Sequence, residues 1–411
     1  MIDAKQKKSA TRFVLLTVFA YSVGFGIIMP VLPNLIVELE GVSLSEATLI
    51  GGFIAAAYAV FQFLLGPFVG NLGDRFGRRP VFLFSLGGFT IDFFLMGFAP
   101  SIIWLFIGRS IAGGLGAIFG PANATMADIS SEEERAKSFG MVGAAFGIGF
   151  IVGPALGGLL GEFGTRVPFF VAAAIAGVAF IYGYFAFPET MDKSKRREFS
   201  LKRANPIGAF MSLNKLSGVV GIAFIYFIWV TSTNIYPVSW SYFAQIKYEW
   251  STRMVGFSLA LVGLSMALVQ ALVIGRVVAK FGERVTAAFG LAFATAAMLC
   301  YALIESANFA LGFCLIVGLQ GVVMPSLNAM MSRRTPADSQ GELQGFNGSL
   351  AALAALIAPL IYNTTLFYYT NPVNPVFFPG APFILSASIA FIALISLLRV
   401  EPTQRPLDQN N

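Results

Sequence analysis

Asp92 and Arg109 are the two ionisable side chains that fall deep inside long apolar stretches of this 411-residue chain. An acid and a base so placed could pair, carry a proton or hold a charged ligand. A charge at bilayer depth costs at least about 2.5–3.5 kcal/mol unless it is paired or hydrated. The two residues lie in consecutive stretches that turn near Pro100 and Ser101. At 1.5 Å per helical residue each sits about 12–14 Å below that turn, so the two can meet. They form either a static ion pair pinning two helices or a coupling pair that separates so that the carboxyl can take a proton. Enzymatic chemistry has little to draw on: the sequence holds no histidine, no nucleotide-binding loop and no paired intramembrane carboxylates. No enzyme, cofactor or metal site is expected.

The elements that carry this pair are membrane helices. Hydrophobic residues make up 56% of the chain and charged residues 12%, whereas an ordinary soluble domain carries about a quarter charged residues. Apolar runs of about 20 residues recur, each long enough to cross a hydrocarbon core about 30 Å thick. With no water in that core, a spanning segment must satisfy its own backbone, which makes each run a helix. The expected spans are 12–35, 47–70, 80–100, 102–127, 137–162, 167–187, 216–245, 254–275, 284–304, 308–331, 341–363 and 380–399. The first is too long for a signal-peptide core and lacks a cleavage site, so it is expected to stay. The 43 glycines are read as small residues that let helices approach.

Lys and Arg accumulate in cytoplasmic loops, and here they fall almost wholly on one side. With both termini on that side, Arg166, Lys247 and Arg253 lie opposite, and Arg109 lies within a span. The net charge of +6 thus reports topology in a bacterial inner membrane with both termini cytoplasmic, and no nucleic-acid partner. Cys300 and Cys314 sit in apolar runs and read as small packing residues.

The chain is internally duplicated. Gly70-Asn-Leu-Gly-Asp-Arg-Phe-Gly-Arg-Arg79 aligns with Gly275-Arg-Val-Val-Ala-Lys-Phe-Gly-Glu-Arg284 at an offset of 205. The same offset relates Pro154 to Pro359, Asn123 to Asn328 and Met126 to Met331. The expected architecture is all-α and polytopic: twelve transmembrane helices in two pseudo-symmetric six-helix bundles, residues 1–190 and 214–411, joined by a cytoplasmic linker at 191–213. Two repeated halves in parallel orientation place a substrate near the midplane between them. A receptor or sensor would need a signalling domain, and the linker is the longest segment outside the spans.

The stretch Gly70-Asn-Leu-Gly-Asp74-Arg75-Phe-Gly77-Arg78-Arg79-Pro-Val resembles the loop signature of the major facilitator superfamily. Gly147 with Gly153-Pro154 and Gly157-Gly158 resembles the fifth-span signature of its drug:proton antiporters, and Ile107-Gly-Arg109-Ser-Ile-Ala-Gly113 their fourth-span arginine, which is associated with proton transfer. Ile28-Met-Pro-Val-Leu-Pro33, Val255-Gly-Phe-Ser-Leu-Ala260 and Leu343-Gln-Gly345 make most of the chain similar to the tetracycline-efflux branch. The resemblance implies a transporter that exports a small organic molecule in exchange for protons by alternating access. The alternative is uptake or uniport of a neutral or anionic solute without classical proton coupling. Partners are then the substrate, protons and the lipid bilayer, with the chain acting as a monomer.

The resemblance also exposes a departure. Tetracycline pumps place an aspartate in the first span, a histidine in the eighth and an aspartate in the ninth; the matching positions are Tyr21, Met266 and Ala294. The groups that bind a metal-chelated drug are missing, so tetracycline itself is not expected. Gln62 and Gln270 are kept from that pocket. The expected lining comprises Tyr21, Tyr58, Gln62 and Asn123 from the first half, with Asn234, Trp240, Gln270, Gln320 and Asn328 from the second. Each could instead be satisfied between helices, and Trp240 could belong to the outer aromatic belt. Asp74, Arg75, Arg78, Arg79 and Asp128 are expected to form a cytoplasmic charge network that latches the outward-open state. Gly153 and Pro154 form a candidate hinge, although close packing suits them equally.

Overall fold

The structure, a computed structural model, describes residues 4–116, 118–131, 134–199, 219–336 and 339–400; residues 200–213 of the expected linker lie outside the described residues. The described residues are helical, with no strand among them. Among the described residues, eleven helical runs are long and apolar enough to cross a membrane. One of them, Thr252–Leu303, has 52 residues and turns at Gly282, so it crosses twice and brings the total to twelve spans. Gly282 has φ 77° and its repeat partner Gly77 has φ 102°. A side chain would strain both conformations, so the duplicated glycine marks the same tight turn in each half.

The first span differs from expectation. It runs Ala4–Ile28, and a separate helix, Leu32–Glu40, follows. Pro33 sits at the start of the short helix, where its missing N–H costs nothing. Gly41, in the left-handed conformation, closes it. The second span, Leu44–Phe76, begins with a reciprocal cap: Ser43 Oγ accepts from the Glu46 N–H at 3.2 Å and the Glu46 carboxylate accepts from the Ser43 N–H at 2.9 Å.

Helix pairing repeats with the sequence. The first span packs on the fifth (Arg135–Gly161), as the seventh (Val220–Tyr248) packs on the eleventh (Gln340–Thr370). The third (Arg78–Phe98) packs on the sixth (Val167–Ala186), as the ninth packs on the twelfth (Ala381–Arg399). Between the halves the fifth meets the eighth and the second meets the eleventh. These contacts are crowded on the face opposite the basic loops. A Cβ built on Gly256 would stand 2.3 Å from the Pro154 carbonyl oxygen and 2.8 Å from Gly158 Cα. Asn34 Nδ2 donates to Thr252 Oγ1 at 2.8 Å, and the Ser45 and Thr370 hydroxyls meet at 2.7 Å. Toward the basic face, Gly140, Gly143, Gly147, Gly345 and Gly348 have no atom near an added Cβ. The molecule is therefore closed on the opposite face and open on the basic one.

The three basic residues on the closed face have particular tasks. Arg166 pairs with Glu38 at 3.1 Å and donates to the carbonyls of Gly97 and Ala99, capping the third span. The Thr165 hydroxyl, and then Arg166, hold the Glu38 carboxyl below the usual carboxylate range. Lys247 donates to the Tyr301 and Ala302 carbonyls at 2.9 and 2.6 Å, capping the ninth span. Arg253 pairs with Glu162 across the halves at 3.8 Å.

Candidate functional site

A cavity of about 270 Å³ lies between the halves. Its walls come from the first span (Tyr21, Phe25), the second (Tyr58, Gln62), the fourth (Arg109, Phe119), the fifth (Phe146), the seventh (Asn234, Ser241, Tyr242) and the eleventh (Ala355). Most of that surface is aromatic or aliphatic, with few polar groups, the usual make-up of a small-molecule site. Among the described residues, Arg109 is the one charged side chain in the lining.

The third and fourth spans turn at Pro100–Ser101 and bring Asp92 and Arg109 to the same level, as helical rise requires. Arg109 Nη2 donates to Asp92 Oδ2. Asp92 is 0% exposed and Arg109 7%, so the guanidinium stands between the carboxylate and the cavity. The guanidinium also lies over the rings of Tyr58 and Phe93, at 5.8 and 5.7 Å; such contacts hold a cation in a poorly solvated place. In front of it the Tyr21 and Tyr58 hydroxyls meet at 2.9 Å, and Gln62 Nε2 donates to Tyr58 at 3.3 Å. Asp92 Oδ1 and Arg109 Nε are buried without a hydrogen-bond partner. A buried ion pair left partly unsatisfied has its desolvation only partly offset.

Of the expected lining residues, Tyr21, Tyr58, Gln62 and Asn234 border the cavity. Trp240 belongs neither there nor in an outer aromatic belt. It is fully buried, donates its indole N–H to Ser258 Oγ at 2.9 Å, and packs edge-on against Tyr301 and Phe383. Gln320 is also buried, apart from the cavity wall. Asn328 accepts from Asn347 at 3.1 Å within the second half. Asn123 is exposed, and Gln270 is exposed on a π-helical turn, Val269–Val273. Tyr242 and Phe146 enter the lining without having been singled out; an aromatic among 42 Phe and 12 Tyr carries no sequence signal of its own.

On the basic face Arg78 pairs with Asp74 at 2.9 Å and with Asp128 at 3.3 Å. Arg79 donates to the Tyr184 carbonyl at 2.6 Å, and the Arg75 guanidinium lies over Phe76. The Glu189 carboxylate accepts the N–H groups of Arg78 and Arg79 at 2.9 and 3.2 Å, capping the third span. Nothing in the sequence ties Glu189 to residues more than a hundred positions away. All these partners belong to the first half, and they are engaged with the basic face open. Among the described residues the network organises that half and does not bridge the two. Gly153 and Pro154 lie in a helix unbroken from Arg135 to Gly161, and Pro154 packs against Gly26. The close packing is thus visible here.

The model of the Major Facilitator Superfamily matches residues 14–359. Over 397 residues the chain is 35% identical to tetracycline resistance protein, class C, of Escherichia coli, covering 96% of this chain and 98% of that protein. Tetracycline resistance protein, class E, of Escherichia coli is 36% identical over 391 residues, 94% of each chain. The crystal structure of a D-xylose-proton symporter shares the fold, with a TM-score of 0.76 at 16% identity, covering 97% of this chain and 98% of that one.

Proposed function

This chain belongs to the major facilitator superfamily, and on that premise we propose that it exports a small organic molecule across the bacterial inner membrane in exchange for protons. The observation that carries this reading is the cavity closed on one face and bordered by the buried Asp92–Arg109 pair. Residues 1–190 and 214–411 act as the two rocking halves. The basic face is cytoplasmic, which makes the present conformation inward-open. Tetracycline is named for the relatives alone: with Tyr21, Met266 and Ala294 at the matching positions, this pocket is not proposed to take it. Uptake or uniport of a neutral or anionic solute is the second reading, favoured by the lack of an acidic side chain in the cavity lining among the described residues. The purified chain in liposomes, assayed for solute flux with and without an imposed pH gradient, decides between them. Flux indifferent to the gradient defeats the proton-linked reading.

Gln62 is assigned to the substrate site through its bond to Tyr58. Gln62→Ala is expected to raise the half-saturating substrate concentration by about threefold to tenfold, the worth of about one hydrogen bond. Gln270→Ala, away from the cavity wall, is expected to change it less. Equal effects from both would remove the assignment.

Asp74 is proposed for a cytoplasmic gate that latches the halves in the outward-open state, through its pair with Arg78. Asp74→Asn removes one charge-assisted partner of the buried Arg78, a loss of about 1.5–3 kcal/mol reduced by the carboxylate's 38% exposure. Turnover is expected to fall by about tenfold at normal membrane abundance. Initial rates normalised to protein amount check this, and a wild-type rate removes Asp74 from the gate.

A further inference from the structure

We propose that the solute taken by this cavity is an organic anion with a flat aromatic body, docked by its acidic group on the guanidinium of Arg109. The proposal rests on reading the cavity as the substrate site. Its first support is the sign of the charge on offer. Of the elements around Arg109, the first and second spans present Tyr21, Tyr58 and Gln62, and the seventh presents Asn234, Ser241 and Tyr242, all neutral at pH 7. The carboxylate of Asp92 is screened behind the guanidinium. An organic cation would therefore meet a positive charge in a poorly solvated site with no acid in view.

The second support is unused donor capacity. Arg109 engages Asp92 through Nη2 alone among the hydrogen bonds of the described residues, and its side chain borders the cavity. The Tyr242 hydroxyl is buried without a partner in the cavity wall. An anion accepts from both kinds of group, and a planar guanidinium edge suits the two oxygens of a carboxylate. The remaining wall, with Phe25, Phe119 and Phe146, suits a flat apolar body. Asp92 keeps its own hydrogen bond while the ligand docks on the guanidinium.

The test is equilibrium binding to the purified full chain in detergent at neutral pH, with no gradient, using naphthoate, naphthamide and naphthylmethylammonium. These probes share one body and differ in charge. Naphthoate is expected to bind at least about tenfold more tightly than the amide, as a charge-assisted pair does over a neutral one, with the ammonium weakest. The double variant Asp92→Asn/Arg109→Gln carries no charge at the cavity and is expected to lose the preference for acid over amide. Ammonium binding as tight as naphthoate, equal binding of acid and amide, or no saturable naphthoate binding overturns the proposal. So does a folded double variant that keeps the preference. The native chain alone suffices if the double variant does not fold. The readout is separate from coupling: a chain that prefers naphthoate but shows no pH-driven flux defeats proton-linked export alone. One that exports other solutes on a pH gradient without an acid preference defeats the anion assignment alone.

Discussion

Asp92→Asn is expected to abolish pH-driven transport, down to the protein-free background, while exchange of substrate across the membrane continues. Asp92 is fully buried and held by Arg109, which borders the cavity. While the guanidinium stays on the carboxylate, the carboxylate stays ionised. A conformational change or a ligand that draws Arg109 away leaves a bare buried carboxylate, which must then take a proton. Asparagine has the same shape and cannot titrate, so the proton cycle stops there and the rocking motion does not. The substitution also leaves Arg109 without its counter-charge, and breaking a buried pair by removing one partner costs about 3–5 kcal/mol. Flux is therefore to be measured beside thermal stability, with the double variant Asp92→Asn/Arg109→Gln as the neutral control. Folded Asp92→Asn protein with undiminished pH-driven flux excludes Asp92 as the proton site. Loss of folded protein in the single variant, repaired in the double, assigns the pair to holding the third and fourth spans together.

Gly256→Ala is expected to shift the molecule away from the conformation described here. The new methyl group would meet the Pro154 carbonyl oxygen at 2.3 Å and Gly158 Cα at 2.8 Å, both backbone atoms of the fifth span. No side-chain rotation relieves that clash, so the fifth and eighth spans must part on the closed face. Overpacking of this kind costs about 1–3 kcal/mol. At about 1.4 kcal/mol per tenfold in an equilibrium, the closed state loses about tenfold to a hundredfold in population. A cysteine at Ser241, which is 6% exposed on the cavity wall, reports the change in a background without Cys300 and Cys314. An impermeant maleimide added on that face is expected to label it at least about tenfold faster in the Gly256→Ala variant. Labelling and transport both unchanged would show that this contact does not close the face.

The sequence by itself determined the solvent, the helices and their order across the membrane. Hydrocarbon leaves a spanning backbone no partner outside its own segment, so each apolar run of membrane length had to be a helix. The repeat at an offset of 205 was legible because Gly77 and Gly282 both adopt a turn conformation that a side chain would strain. The matching depth of Asp92 and Arg109 was legible for a related reason: in a helical hairpin, depth is proportional to distance from the turn. Rotation about the helix axis and the separation of the halves were not legible, because both depend on contacts between residues far apart in the chain. Tertiary packing turned Trp240 into the core and left Gln270 exposed on a π-helical turn, while Tyr58, Gln62 and Asn234 lie on the cavity wall. It set Glu189 on the N–H groups of Arg78 and Arg79. It also selected the closed face, where glycines of the fifth and eighth spans let two backbones touch, a contact between residues far apart in the chain that no local pattern encodes.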